Sequence, residues 1–272
     1  MTTQLHTGVG HDSDDFGVLY MAVGERCIEE VCRSAASLKK LMPEIRIALF
    51  VNDKSGIPAG LFDRIEIVES PSYQVGDKIS CLSKTPFVKT LFLDTDTLII
   101  EPFYELIDLL DRFDLAVCHA PYRFCQGVYK HKIMRKTSKA FTELNTGMIL
   151  YKKTEKVLNL FVLWEKLNRR NLSEGFRHDQ PGFRQAIYES DVVFTILVPE
   201  YNLRVGCPNF VGGRAKAKIL HGKAHELRKA ERRVNRSLLP RVSPRPKLFI
   251  AFCMGAGLTV VVFSIFIILF LF

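Results

Sequence analysis

Short apolar runs alternate with an amphipathic segment in the N-terminal part of the chain. Apolar residues cluster at Phe16–Val23 and Ile45–Val51, and a shorter run covers Arg64–Val68. Between the first two runs, apolar residues recur every three or four positions over Glu25–Met42, and Pro43 follows. Short apolar runs predict buried strands, and the spacing of three or four predicts a helix. This order of elements favours an α/β fold with a mostly parallel sheet flanked by helices.

One apolar run contains two carboxylates. The segment Leu91–Ile100 is apolar except for Asp94, Asp96 and two threonines. Such a run predicts a strand buried on both faces, in which residues two apart point to the same side. Asp94 and Asp96 would then share a face, and two neighbouring anions need a positive partner, for which a divalent cation fits best. The alternative is that the strand ends by Asp94 and the two residues cap a solvated turn.

The same patterns predict the later elements. We expect a strand at Phe113–Cys118, a strand at Leu144–Tyr151 entered by an Asn-Thr-Gly turn, a helix capped by Thr154 and running to Asn168, a helix at Pro181–Tyr188 begun by Asp179 and Gln180, a strand at Val192–Val198, and a last sheet segment at Ile219–Lys223.

Both ends of the chain differ from the middle. Residues 248–272 carry no charged side chain. About 20 apolar residues span a bilayer as a helix, so this stretch predicts one C-terminal transmembrane anchor, with a buried core helix as the alternative. Residues 1–16 lack a basic region followed by an apolar core, so they predict a flexible leader and not a signal peptide. The globular domain then covers residues 17–223.

The net charge of +9 is concentrated in one segment. Residues 214–247 hold 12 basic and two acidic residues, and the rest of the chain holds 26 basic and 27 acidic residues. The near-neutral domain argues against nucleic-acid binding. A basic cluster beside an anchor suits anionic lipids and marks the cytosolic side, so we expect the domain to face the cytosol. Residues 224–247 predict a basic juxtamembrane helix, lying on the membrane or packed on the domain, and a Pro-containing linker.

Several polar motifs follow one another in a recognisable order. They are Asp94-x-Asp96, then Asn145-Thr-Gly147, then His178-Asp179-Gln180, then Leu220-His221-Gly222-Lys223. This series resembles the nucleotide-diphospho-sugar glycosyltransferases of the GT-A fold, in particular the glycogenin-like, family 8 retaining enzymes. The resemblance covers residues 17–223, which is nearly all of the chain before the basic segment.

The resemblance implies a role for each motif. Metal ligands would be Asp94, Asp96 and His221, which would hold Mn²⁺ or Mg²⁺ against the diphosphate of the donor. The residues implied in donor binding are Lys78, Asp94, Asn145, Gly147, Asp179, Gly222 and Lys223. Asp179 and Gln180 would be the catalytic pair, with Asp179 on the sugar hydroxyls and Gln180 near the anomeric carbon. An oxygen-rich ligand set with one imidazole suits these two cations.

Each of these residues also has an ordinary structural interpretation. His221 fits a core histidine, Asp179 fits a helix cap, and Lys78 fits a surface lysine, while Asn145-Thr-Gly147 fits a plain turn before a strand. The chain also departs from the family, because the later motif is normally Gly-x-x-Lys-Pro followed by an aromatic residue and is shorter here. That shortening weakens the assignment of a phosphate contact to Lys223.

The expected function is a metal-dependent transfer of a sugar from a nucleotide-diphosphate donor, with a UDP-sugar favoured, to an acceptor with retention. The anchor favours a lipid or a membrane-associated glycan as the acceptor. One alternative is a haloacid-dehalogenase-type phosphatase with Asp94 as nucleophile and Asp96 as general acid/base. That motif usually begins its fold, whereas at least two strands are predicted before Asp94. Another alternative is an inactive, membrane-tethered module that binds a sugar nucleotide.

Overall fold

The computed structural model describes residues 16–72, 76–121, 137–207, 210–211, 215–232, 234–235 and 241–242. The strands are β1 Phe16–Ala22, β2 Arg46–Val51, β3 Arg64–Ile67, β4 Lys89–Leu93, β5 Thr97–Ile99, β6 Leu115–His119, β7 Leu144–Lys152, β8 Phe194–Leu197, β9 Leu203–Arg204, β10 Phe210–Val211, β11 Ile219–His221 and β12 Arg241–Val242. The helices are α1 Glu25–Leu41, α2 Asp77–Leu82, α3 Leu106–Leu109, α4 Glu155–Ser173, α5 Gln180–Glu189 and α6 Ala224–Glu231, with a 3-10 turn at Pro199–Tyr201.

A seven-stranded sheet with the order β3-β2-β1-β4-β7-β6-β8 forms the centre of the molecule. Its neighbours are parallel except at β7, which runs antiparallel to both β4 and β6. Side chains alternate between two cores: Leu91 and Leu93 of β4 face one core, and Phe92 faces the other. Helix α1 covers the first face, and α4 and α5 cover the second. The α/β fold with a mostly parallel sheet flanked by helices is therefore confirmed.

The predicted continuous strand through the two carboxylates is wrong. Strand β4 ends at Leu93, residues 94–96 form a turn, and β5 joins a separate three-stranded sheet with β11 and β9. At this point the Asp94 N–H donates to the Gly147 carbonyl of β7 at 2.8 Å, and the Thr97 hydroxyl donates to the Asp94 carbonyl at 2.8 Å. The alternative of a turn describes the backbone correctly. Within this turn Thr95 is buried, and the side chains of Asp94 and Asp96 are partly exposed.

Two further predictions concern motifs near the sheet. Asn145-Thr-Gly147 lies inside β7, just before the residues that pair with β4, so the predicted turn is wrong. The predicted cap of α4 is confirmed, because the Thr154 side chain accepts a hydrogen bond from the Val157 N–H. A cap of this kind depends only on neighbouring residues, which is why the sequence shows it.

Part of the predicted basic segment lies within the described residues. Helix α6 ends at Glu231, and its Leu227 is buried in a small apolar cluster with Leu98, Leu203 and Leu220. This described part of the helix packs on the domain. Most of the predicted leader and the whole predicted anchor, residues 248–272, lie outside the described residues. Within the described part of the chain, each helix is too short or too polar to cross a membrane.

Candidate functional site

A cavity of about 370 Å³ opens where β4, β7, β11 and the start of α5 meet. Most of the predicted site residues line it: Lys78, Asp94, Asp96, Asn145, Gly147, Asp179, Gln180 and His221. Gly222 and Lys223 are not among the lining residues. The Gly222 N–H holds the carboxylate turn by donating to the Asp96 carbonyl at 2.8 Å, and Lys223 is exposed just before α6.

Asp94, Asp96 and His221 form a compact group at one end of the cavity. One ligand atom from each lies within 4.8 Å of the others. The register of β11 with β5 pairs His221 with Thr97, directly after the carboxylate turn, so the imidazole lies against the turn. His221 Nε2 is 3.0 Å from Asp96 Oδ1 and 3.9 Å from Asp94 Oδ2. Two carboxylates and one imidazole are a donor set that fits Mn²⁺ or Mg²⁺.

Gly147 makes room for this group. A Cβ atom at this position would overlap the His221 ring and would lie 2.7 Å from Asp94 Oδ2, a separation that real Cβ atoms do not show. The missing side chain therefore lets the imidazole and the carboxylate approach each other behind β7. The glycine of the Asn-Thr-Gly motif is required by the packing of the candidate metal ligands.

Lys78 occupies the other end of the cavity. Its ammonium lies 3.2 Å from Asp94 Oδ1 and 3.1 Å from Asp179 Oδ2, and it donates to the Thr146 carbonyl at 3.1 Å. The residue is only 8% exposed, so the alternative of a surface lysine is wrong. Burial alone would lower the pKa of Lys78, but the charges of Asp179 and Asp94 outweigh it and raise the pKa. Lys78 is therefore a fixed cation of the site.

The two carboxylates of the turn have opposite environments. Burial raises the pKa of Asp94 above its ordinary value, against the opposing effect of the Lys78 charge. Burial also acts to raise the pKa of Asp96, but the hydrogen bond and charge of His221, with Arg204 nearby, outweigh it, and the pKa is lowered. Asp96 is thus the carboxylate that its neighbours hold most firmly in the charged form.

Asp179 immediately precedes α5, but its side chain does not cap that helix. The carboxylate pairs with Lys78, and the Asp179 carbonyl accepts a hydrogen bond from the Trp164 indole at 3.1 Å. Trp164 is fully buried on α4, so this bond fixes the start of α5 against α4. Gln180, the first residue of α5, is held at the cavity wall as a result.

Several lining residues belong to no motif in the sequence. Arg204 is the most notable, because its Nη1 lies 3.8 Å from Asp96 Oδ2. Strand β9 pairs with β11 so that Arg204 lies opposite His221. Only this pairing between distant segments reveals Arg204, and no local pattern marks it. Glu143 also lines the cavity, two residues before Asn145, where the alternation of a strand would have indicated a shared face.

The lining carries an excess of negative charge. Among the lining residues that the structure describes, two are basic, Lys78 and Arg204, and four are acidic, Asp94, Asp96, Glu143 and Asp179, which gives a formal charge of −2 with the histidines counted as neutral. A bound divalent cation brings that sum to zero. The charge balance therefore agrees with the donor set of Asp94, Asp96 and His221 that a cation belongs in this cavity.

Comparison with solved structures identifies the fold. The structure of an active-site mutant of LgtC superimposes with a TM-score of 0.55 at 15% identity, covering 76% of this chain and 88% of that one. The galactosyltransferase LgtC in complex with donor and acceptor sugar analogues gives a TM-score of 0.51 at 14% identity, covering 69% and 75%. The chain has the GT-A fold. At these identities the likeness concerns the fold alone.

The GT-A fold argues against one of the alternatives from the sequence. The phosphatase motif usually begins its fold, whereas β1, β2 and β3 come before β4. No protein-family model matches the chain, and no curated protein matches it.

Proposed function

We propose that this protein is a metal-dependent glycosyltransferase that moves a sugar from a nucleotide-diphosphate donor to an acceptor hydroxyl. The observation that carries the proposal is the group of Asp94, Asp96 and His221 at the end of a negatively charged cavity. An anionic donor would be repelled by that cavity unless a cation is bound at this group. The fold shared with LgtC, solved with donor and acceptor sugar analogues, supports the same assignment.

In this proposal, residues at the two ends of the cavity bind different parts of the donor. Asp94, Asp96 and His221 would hold Mn²⁺ or Mg²⁺ beside the diphosphate. When bound there, the metal ion neutralises the negative charge that develops on the departing nucleoside diphosphate. Arg204, beside Asp96, adds a guanidinium with the geometry to bind phosphate oxygens. In this proposal Arg204 takes over the phosphate contact that the family motif assigns to Lys223.

Lys78 and Asp179 form the sugar end. The three N–H groups of the Lys78 ammonium face Asp94, Asp179 and the Thr146 carbonyl, so Lys78 holds the Asp179 carboxylate in place as an acceptor for sugar hydroxyls. Gln180 follows directly and presents an amide to the anomeric carbon. Asn145 lies between the two ends and lines the cavity beside Gly147.

The proposed reaction retains the anomeric configuration. The bond between the anomeric carbon and the diphosphate oxygen breaks, and the acceptor oxygen forms its bond from the face that the diphosphate leaves. The acceptor proton passes to a phosphate oxygen of the leaving group. The roles of the chain are to orient the two substrates and to stabilise the negative charge of the diphosphate.

The test measures nucleoside diphosphate released from a panel of nucleotide sugars, with UDP-sugars first, by the full-length protein with and without Mn²⁺. We expect turnover of one donor class only when Mn²⁺ is present, and none with Asp96→Ala. Turnover by Asp96→Ala at the wild-type rate would refute the metal assignment. Binding of a sugar nucleotide without turnover in the presence of candidate acceptors would favour the inactive module.

The location and the acceptor are proposed from the sequence. We propose that residues 248–272 anchor the protein with its domain in the cytosol, and that the acceptor is a lipid or a membrane-associated glycan. Protease treatment of sealed vesicles from expressing cells tests the orientation. A domain facing the cytosol is digested when the cytosolic side is outermost, and a protected domain would contradict the proposal.

A further inference from the structure

We propose that Asn202 is a positioning residue that fixes the tautomer and orientation of His221, with Asn145 as its support. Neither role follows from the motifs in the sequence, in which Asn202 carries no assignment and Asn145 is expected only beside the donor sugar. The inference rests on the proposed function for the importance of His221 as a metal ligand. The arrangement itself follows from the hydrogen bonds that join four buried residues: Gly147, Asn145, Asn202 and His221.

The series of hydrogen bonds begins at a backbone N–H, a group whose role as donor is fixed. The backbone N–H of Gly147 lies 2.9 Å from Asn145 Oδ1. A backbone N–H can only donate, so the oxygen of the Asn145 amide must face it. This bond therefore fixes which way the Asn145 amide is turned.

The second bond fixes the next amide. Asn202 Nδ2 lies 2.9 Å from the same Asn145 Oδ1, where an oxygen would meet an oxygen if Asn202 were turned the other way. Asn202 must therefore present its nitrogen to Asn145. Its Oδ1 then faces His221 Nδ1 at 2.8 Å, and that ring nitrogen must carry a proton to donate to it.

The result is an imidazole whose two ring nitrogens have defined partners. With Nδ1 bound to Asn202, His221 presents Nε2 to the carboxylates, 3.0 Å from Asp96 Oδ1. Asn145, Asn202 and His221 are 4%, 5% and 2% exposed, so water does not compete for these bonds. A partner on the second ring nitrogen is the usual way in which proteins orient a metal-binding histidine.

The same bonds restrict what Asn145 can do. Its Oδ1 already accepts from Gly147 and from Asn202, so the group left for a ligand is the Nδ2 amide, a hydrogen-bond donor. Asn145 would therefore meet an oxygen of the donor sugar or the diphosphate. The Asn-Thr-Gly motif thus serves the candidate metal site twice, through the space at Gly147 and through the amide of Asn145.

The test compares Asn202→Leu with Asn202→Asp in the full-length protein, with Mn²⁺ affinity from calorimetry and Co²⁺ absorption spectra as readouts. We expect Asn202→Leu to weaken Mn²⁺ binding by about 10- to 100-fold, the usual loss when such a partner is removed. Asn202→Asp keeps an acceptor for His221 but loses the donor to Asn145, so its loss is smaller. As a control, Asn171→Leu removes a fully buried asparagine of α4 and should leave the Mn²⁺ affinity unchanged.

Nitrogen NMR of the His221 side chain gives a readout that needs no metal. We expect a proton on Nδ1 of the wild-type protein and a change in that signal in Asn202→Leu. An Nδ1 without a proton, or an Asn202→Leu variant with wild-type Mn²⁺ affinity and Co²⁺ spectrum, would overturn the inference. A wild-type protein that shows the Nδ1 proton but binds no divalent cation would overturn the proposed function and leave the orientation of His221 established.

Discussion

The carboxylates at the two ends of the cavity have different charged partners. At the sugar end, Asp94 and Asp179 are bridged by Lys78, a cation that belongs to the chain and is almost fully buried. At the metal end, Asp96 meets the His221 imidazole at 3.0 Å and the Arg204 guanidinium only at 3.8 Å. One end therefore contains a buried cation of the chain, and the other end presents candidate ligands for a cation from solution.

In the proposed function, each end has its own task. A permanent cation is suited to holding a fixed geometry around the sugar. An exchangeable metal ion is suited to a leaving group whose charge appears during the reaction. Asp94 belongs to both ends, since one of its oxygens faces Lys78 and the other faces His221. Substitutions at each end separate these two tasks.

Removing the permanent cation has the largest effect on stability. Lys78→Met leaves Asp94 and Asp179 without their shared partner, and breaking a buried ion pair in this way costs about 3–5 kcal/mol. Urea unfolding in EDTA measures the loss. Lys89→Met is the control, because Lys89 pairs with Asp111 at the surface and such pairs contribute about 1 kcal/mol or less. Equal losses in the two variants would remove the distinction between the ends.

Removing a ligand at the metal end acts on binding. Asp96→Asn keeps the size of the side chain but loses the charge, so we expect the Mn²⁺ affinity to fall by more than about 100-fold, beyond the range for outer-shell partners. Calorimetric titration of Mn²⁺ into the variant measures this. Unfolding in EDTA should change less than in Lys78→Met. Wild-type Mn²⁺ affinity in Asp96→Asn would place the cation elsewhere.

Gly147→Ala tests the space between the ends. The added methyl group would meet the His221 ring and Asp94, and overpacking of this kind costs about 1–3 kcal/mol. We expect a loss of stability in urea unfolding together with weaker Mn²⁺ binding, because the ligands themselves must move. A variant with the wild-type Mn²⁺ affinity would show that the ligands do not depend on this glycine.

The smallest effect distinguishes two candidate phosphate contacts. Arg204 lines the cavity, whereas Lys223 is exposed outside it. A hydrogen bond to a charged group contributes about 1.5–3 kcal/mol, so Arg204→Met should weaken binding of the nucleoside diphosphate about tenfold or more with Mn²⁺ present. Lys223→Met should change the affinity for the nucleoside diphosphate by less than about twofold, because an exposed charge contributes little. The reverse ranking would return the phosphate contact to Lys223.

The parts of the site that the sequence predicts are those with a local signal. Asp94 and Asp96 are conspicuous in an apolar run, and Thr154 caps a helix that starts beside it. The end of β4 at Leu93 was not predictable in the same way, because it depends on Gly147 of β7 and on the pairing of β5 with β11. Apolar residues continue past the turn, since both sheets bury them.

Residues whose role depends on distant partners escape local patterns. The segment that contains Arg204 and Asn202 has no recognisable motif. The role of each residue depends on its proximity to His221. Lys78 is a similar case: a lysine in a polar helix suggests the surface, but the fold brings Asp94 and Asp179 to it. Contacts between distant segments, and not residue type, determine the roles of these three residues.

The most direct test of the proposed metal site is a calorimetric titration of UDP into the full-length protein, first in EDTA and then in Mn²⁺. GDP and CMP are titrated in parallel. Because the cavity is negatively charged without a cation, we expect one nucleotide to bind in Mn²⁺ and none to bind measurably in EDTA. Binding of equal affinity in both conditions would contradict the claim that Asp94, Asp96 and His221 hold a metal ion for the donor.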